Sequence, residues 1–569
     1  MNLLPLLSLT LAANPTLPDL SKRYLDGLFQ SRPHLATFMG VHTHDGELVD
    51  DSEKAVQKRL GELATLDKDL AAVDRSKLTP DEAADAQILF DGIALERLYL
   101  KEIREWTWDP RLYDSFPFYD PREMIASRLS DIVHGTFADE AQRRTSVKQQ
   151  LLAVPRLLAQ AQKSLVNPSR VHLDQAVKDN AGRIGFFEGE LKEFTQKDAK
   201  VEAARVAAVK ALQVYQKFLV SFPREKATHD WQLGAELYAK KFPLALQTDL
   251  TPDQLVERAT QAFQSTRAEL YAVARPFLKM APPANADLKA QATAIRSAQA
   301  MLVEDHPKPD ALVQAHADAL AKLRELISQK GLLGLPPAET LSVLPMPEYK
   351  RGAAGAEYLS PGMLDTSSTW KGTFYVDPVD PKWPAEKVDS YLRANNNYEV
   401  DLTAAHEAYP GHHTQAWYAR RSLSALRSTL WSGSFAEGWA VYGERLMVAV
   451  GLGGPKNAGY RFMDLKGKMI VASNALLDVK LQTGKMTDEE ALKLMEEEGF
   501  QEPAQAERKL LRAKLDSTQL CQYFIGYSEI LDLERNVKKK GGFDQRAFDE
   551  ALIGHGTIGV KWVRGFLLK

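Results

Sequence analysis

From Leu17 to about Lys330, apolar residues return every three or four positions. Leu17, Leu20, Tyr24, Leu25 and Leu28 share one helical face, as do Leu151, Val154, Leu157, Leu158 and Leu165. Helix starts punctuate this pattern. Thr79-Pro80-Asp81-Glu82 and Thr251-Pro252-Asp253 each supply a threonine N-cap, a proline at the first helical position and acids in the first turn. No period repeats, which argues against a solenoid. The texture changes between Leu335 and Pro378, where Thr340 to Leu344 and Thr373 to Val376 carry β-branched and aromatic residues between glycines and prolines. These read as strands of a small sheet, whose free edge could hold an extended peptide. Helices resume at Ala385 and run to the end, with another N-cap at Thr487 and acids behind it. The pattern predicts a mainly α protein: a helical part over 14–330, then a part over 331–569 that carries the sheet. Met280 to Asn285 and Asp305 to Asp310, which contain proline, are the candidate subdomain joints.

Bulk composition narrows the function. The chain has 569 residues, 44% hydrophobic and 26% charged, as an ordinary globular protein does. A net charge of −3 predicts no binding to nucleic acid or to an anionic membrane surface. Cys521 is the single cysteine, which excludes a disulfide framework and a thiolate-rich zinc site. It sits in apolar Leu520 to Phe524 and reads as a buried thiol. Met1 to Ala13 is leucine-rich and ends in Ala12-Ala13, like a short signal peptide, but no basic residue precedes Lys22. If it is one, the protein is periplasmic or secreted; otherwise it is cytoplasmic. The run is too short to span a bilayer, and no other apolar stretch approaches that length.

The chemistry concentrates in His406-Glu407-Ala408-Tyr409-Pro410-Gly411-His412-His413. Zinc sites on one helix usually place two histidines at i and i+4, with a glutamate between them as general base. Here Pro410 occupies i+4, and the next histidines fall at i+6 and i+7. On an unbroken helix His413 would lie roughly 10 Å along the axis from His406, too far for zinc–nitrogen bonds of about 2.0–2.1 Å. Proline removes a helical hydrogen bond and glycine relaxes the backbone, so Pro410-Gly411 permits a bulge that brings His412 beside His406. His413 stays open as the alternative ligand, or as a residue that hydrogen-bonds substrate. Glu437 follows His412 by twenty-five residues, a spacing that suits a second, antiparallel helix after a turn over Leu423 to Gly433. Two histidines and one carboxylate leave a fourth position for water. Glu444 falls seven residues further on the same helical face, where it either orients a ligand histidine or pairs with Arg445 or Arg420. Elsewhere, His42 and His44 read as turn residues, and Trp106 to Tyr113 as core rather than channel lining.

H-E-A-Y-P-G-H-H, F-A-E-G-W-A-V-Y-G-E and Q-Y-F-I-G-Y together resemble the bacterial family catalogued as domain of unknown function 885. The likeness extends, more loosely, to Val154-Pro155-Arg156 through Asn167-Pro168, Trp231 to Tyr238 and Gly372 to Val376, about residues 17–568 in all. That family is similar to the gluzincins, helical zinc peptidases such as angiotensin-converting enzyme and the thimet-type oligopeptidases. The resemblance implies a large helical zinc-peptidase-like fold, a small sheet beside the active-site helix and a deep channel. It implies one zinc per chain on His406, His412 and Glu437, Glu407 as general base, and a peptide substrate. In the related peptidases a tyrosine after the zinc helices reaches the reacting carbonyl, which points to Tyr523 for that role. Tyr527 and Tyr375 lie in the matching segments and are carried as candidates for binding substrate or for supporting the residues that hold the metal. One departure stands out: where relatives often read L-H-T-G, this chain has Leu481-Gln482-Thr483-Gly484, so any role for that histidine is absent.

The expected function is thus a zinc-dependent hydrolase of short peptides, a carboxypeptidase or oligopeptidase. A non-catalytic peptide- or metal-binding protein on the same scaffold, or a zinc hydrolase of another amide or ester, are the alternatives.

Overall fold

The predicted caps form and start the helices where expected. Thr79, Thr251 and Thr487 each accept a hydrogen bond from the backbone three residues on, and Glu82, Gln254 and Glu490 reach back to complete capping boxes. A computed structural model describes residues 15–117, 121–280, 282–347, 351, 355–366, 370–421 and 424–568; the leucine-rich segment Met1 to Ala13 lies outside them. The described chain is mainly helical, with two small sheets. No helix among these residues is long and apolar enough to cross a membrane.

The elements that build the site are α1 (Pro252–Ala274), α2 (Leu312–Lys330), β1 (Leu341–Pro345), β2 (Ala356–Leu359), β3 (Gly372–Val376), α3 (Asn397–Glu407), α4 (His412–Ala419), α5 (Gly433–Ala449), α6 (Asn457–Gln482) and α7 (Gln522–Lys539). In the three-stranded sheet β3 is central, parallel to β1 and antiparallel to β2. The strand β2 is an addition to the two read from the sequence. It is four residues long and starts at Ala356, too short to display a clear alternation. A further two-residue pair joins Tyr113–Asp114 to Arg122–Glu123.

One hydrophobic core runs from Leu17 to Val563 and takes in Leu323 and Ile327 of α2, Phe374 of β3, Tyr398 of α3 and Trp439 of α5. It draws on both sides of residue 330, so the 305–310 break is a connector within a shared core. A second core, from Leu48 to Ala227, supports the N-terminal helices. Beneath the site, α5 packs along α7 so closely that Gly438 and Gly526 touch backbone to backbone. A Cβ on Gly526 would collide with the Ser434 carbonyl oxygen. The connection into α5 is not a bare turn, because it contains the short helix Ala425–Thr429.

Candidate metal centre

The helix α3 starts on an Asn396 cap and ends at Glu407. Its hydrogen bonds then widen: Gly411 N–H reaches the Ala405 carbonyl at 2.9 Å, and Thr414 N–H reaches that of Ala408 at 3.2 Å. The Tyr409-Pro410 bond is cis. Gly411 is required by space, because a Cβ there would run into the carbonyl oxygens of His406 and Ala405. This bulge starts α4 at His412 and sets the two imidazoles edge to face, with ring centres 4.8 Å apart.

Glu437, one turn into α5, meets them. Its Oε2 lies 3.4 Å from His406 Nε2 and 3.7 Å from His412 Nε2. Three potential ligand atoms from these residues fall within 4.8 Å of one another. Glu437 Oε2 is buried and makes no hydrogen bond, although buried carboxylate oxygens are seldom left so. A cation bound by both imidazoles and this oxygen accounts for it, and the donor set of two nitrogens and a carboxylate suits zinc. Burial alone would raise the Glu437 pKa, but the imidazoles of His406 and His412 outweigh it and hold the carboxyl at about 2. Burial works against a charge on His406, yet Glu437 and Glu444 outweigh it and lift that pKa well above the usual imidazole value. Glu444 lies 2.6 Å from His406 Nδ1 and so orients the ring with Nε2 toward Glu437.

Glu407 stands beside the cluster. Burial raises its pKa, and the imidazoles of His412 and His406 pull the other way. Its Oε2 accepts the backbone N–H of Tyr358 at 2.8 Å. Tyr358 pairs with Phe374, and its N–H points away from β3, so the outer edge of β2 holds the carboxylate of Glu407. The sequence reading did not single out Tyr358. The only signal for it was a lone aromatic in Ala356-Glu357-Tyr358-Leu359.

His413 is fully buried, outside the cluster that His406, His412 and Glu437 form. It stacks on Trp370 and lies between Tyr358 and Thr340. Thr340 donates its hydroxyl proton to the Pro337 carbonyl at 2.6 Å, so His413 Nε2 donates to Thr340 at 3.0 Å. That leaves Nδ1 to accept from the Tyr358 hydroxyl at 3.1 Å. Burial, with Arg324 adding to it, pushes the His413 pKa down to about 3 and keeps it neutral. Tyr375 pairs with Glu357 and so lies on the opposite sheet face from Tyr358 and Phe374. Tyr523 and Tyr527 ride α7, half-buried against the main core. Tyr527 feels Glu444 and Asp464, which together with burial raise its pKa. Neither tyrosine lines the cavity that opens on His412 and Glu437. Gln482 is buried and ties Leu233, Ala513 and Asp516 together, a structural role. His42 stacks on Phe137 and bonds Asp45, within a single helical turn.

Fold and site together define a helical protein with a candidate His-His-Glu metal centre and a carboxylate beside it. The chain belongs to the DUF885 family, described as bacterial protein of unknown function, whose profile matches residues 33–566. No curated protein matches it. Solved structures share the fold, two of them as follows. A candidate lipoprotein of unknown function from Shewanella oneidensis is 27% identical, with a TM-score of 0.83 over 98% of this chain and 100% of that one. Another candidate lipoprotein, from Colwellia psychrerythraea, is 17% identical, with a TM-score of 0.77 over 98% of this chain and 99% of that one. At that identity the likeness is one of fold alone.

Proposed function

We propose that this protein is a zinc-dependent hydrolase that cleaves peptide bonds of short peptides. The observation that carries the reading is the convergence of His406, His412 and Glu437 beside a carboxylate, Glu407, that stands outside the cluster and is held by a strand edge. The resemblance of the same motifs to the gluzincins supports it. His406, His412 and Glu437 would hold the ion, and Glu444 orients the His406 ring with Nε2 toward Glu437. When bound, zinc supplies Lewis-acid chemistry and lowers the pKa of water from about 15.7 to about 7. Glu407 takes the proton of the attacking water on one oxygen while Tyr358 N–H holds the other, then passes it to the leaving amine. The ligand side chains are recessed, with His406 and His412 each 18% exposed and Glu437 5%, which favours peptides over folded proteins. The leucine-rich Met1 to Ala13 and the likeness to the candidate lipoprotein of Shewanella oneidensis support a place outside the cytoplasm.

The test is zinc content and peptide turnover of wild type and Glu407→Gln. Purified protein should hold close to one zinc per chain, and the variant should keep it. Turnover of the variant should fall by about 10²–10⁴-fold, as for loss of general-base assistance. A metal-free preparation that stays fully active, or a variant with normal turnover, would overturn the reading.

A further inference from the structure

Beside the cluster lies a cavity of about 140 Å³ that opens on His412 and Glu437. Phe38, Met39, Leu359, Met363, Ala416 and Trp431 are among the apolar side chains of its wall. Two of its polar wall groups are engaged by other wall residues. Gln415 Nε2 donates to Thr557 Oγ1 at 3.3 Å, and the Arg122 guanidinium lies over the Phe38 ring, 3.8 Å from its centre.

Two elements place this cavity next to the chemistry. On α4 the ligand His412, Ala416 and Ala419 recur at i, i+4 and i+7, so the pocket starts at the ligand and follows that face for about two turns. On the other side Tyr358 N–H holds Glu407, and Leu359, Ser360 and Pro361 continue directly into the wall. A carbonyl set between Glu407 and the His-His-Glu cluster therefore has this pocket beside it, on the side of His412 and Glu437. The deduction rests on the hydrolase reading above. We propose that the cavity takes the side chain next to the scissile bond and selects an apolar one of leucine, methionine or phenylalanine size. An apolar cavity of about 150 Å³ holds a benzene-sized group. Burying such a side chain is favourable, whereas an unpaired charge there loses its hydration without compensation.

The experiment digests a mixed peptide library with the zinc-loaded protein and reads the residues flanking each cut by mass spectrometry. Wild type should favour Leu, Met or Phe on one side of the cut. Ala416→Leu should shift that preference toward smaller residues by about tenfold, the scale of one or two methylenes in an apolar pocket. Met363→Ala should shift it toward larger ones, and both variants should keep their zinc. Cleavage without side-chain bias, a preference for Asp or Glu drawn by Arg122, or an unchanged profile in both variants would overturn the pocket and leave the hydrolase reading intact. If wild type cuts nothing, the hydrolase reading fails, and the pocket is judged by calorimetry. A leucine-containing dipeptide should then bind wild type more tightly than Ala416→Leu and more tightly than an aspartate-containing one. Equal binding in these comparisons overturns it.

Discussion

At the scale of single residues, the site depends on what each imidazole does with its second nitrogen. His406 gives Nδ1 to Glu444 and is left with Nε2 for a ligand, whereas His413 spends both nitrogens on Tyr358 and Thr340. Glu444→Ala should therefore weaken zinc binding by about 10–100-fold, as loss of a carboxylate behind a ligating histidine does. Glu444→Gln, which can still accept from Nδ1, should lose less; competition with a chelator of known affinity measures both. His413→Ala should keep zinc in place but lower unfolding stability by about 1–3 kcal/mol, because Tyr358 and Thr340 lose a buried partner. Urea denaturation reads that loss. A His413→Ala protein without zinc would show that His412 is not the ligand.

Between elements, two glycines set how closely the backbone can approach. Gly411 lets the chain double back onto the end of α3, and Gly526 lets α7 lie against α5 at Ser434 and Gly438. Ala at either position forces backbone atoms apart, at a cost of about 1–3 kcal/mol or more. The two should differ in consequence. Gly411→Ala displaces His412 and should lose zinc, while Gly526→Ala should melt earlier and keep more of its metal, because Glu437 moves only with its helix. Thr251→Ala, a capping change, should cost about 1 kcal/mol and leave zinc unaffected. Melting curves and zinc analysis on the three variants separate these outcomes.

Across the whole molecule, buried acids make stability depend on pH. Asp549 bonds Tyr442 and Gln545 between α5 and the C-terminal helices, and burial, with Glu534 adding to it, lifts its pKa to about 8. The unfolded value is about 3.9. The folded state thus holds a proton that the unfolded state has released, so this group stabilises fully below about pH 4, and its contribution erodes as pH rises to about 8. Stability of wild type relative to Asp549→Asn should fall from about pH 5 to about pH 8, with a slope near 1.4 kcal/mol per pH unit, and level off above. Denaturant titrations of both proteins across that range test this; a constant difference would mean that Asp549 is ionised in the fold.

Much of this architecture was written locally. A threonine cap, a proline beside it and an acid or glutamine three residues on specify a helix start within one turn, and Thr79, Thr251 and Thr487 behave so. His406, Glu407 and His412 lie within seven positions, and Glu437 and Glu444 share a helical face, so the candidate residues could be picked out from their spacing along the chain. What the sequence left open depended on contacts between distant segments. Whether His412 or His413 faced the cluster turned on a bulge shaped by how closely Gly411 packs against the end of α3. Tyr358 stands forty-nine residues before the Glu407 it holds, and its face of the sheet was decided by pairing with Phe374. The choice of Tyr358 over Tyr375 was likewise one of register, since neighbouring strand residues point to opposite faces. Periodicity and capping act through residues within a turn of each other. Register, backbone approach and cavity walls are settled only when separate elements pack, and that information is spread over the whole chain.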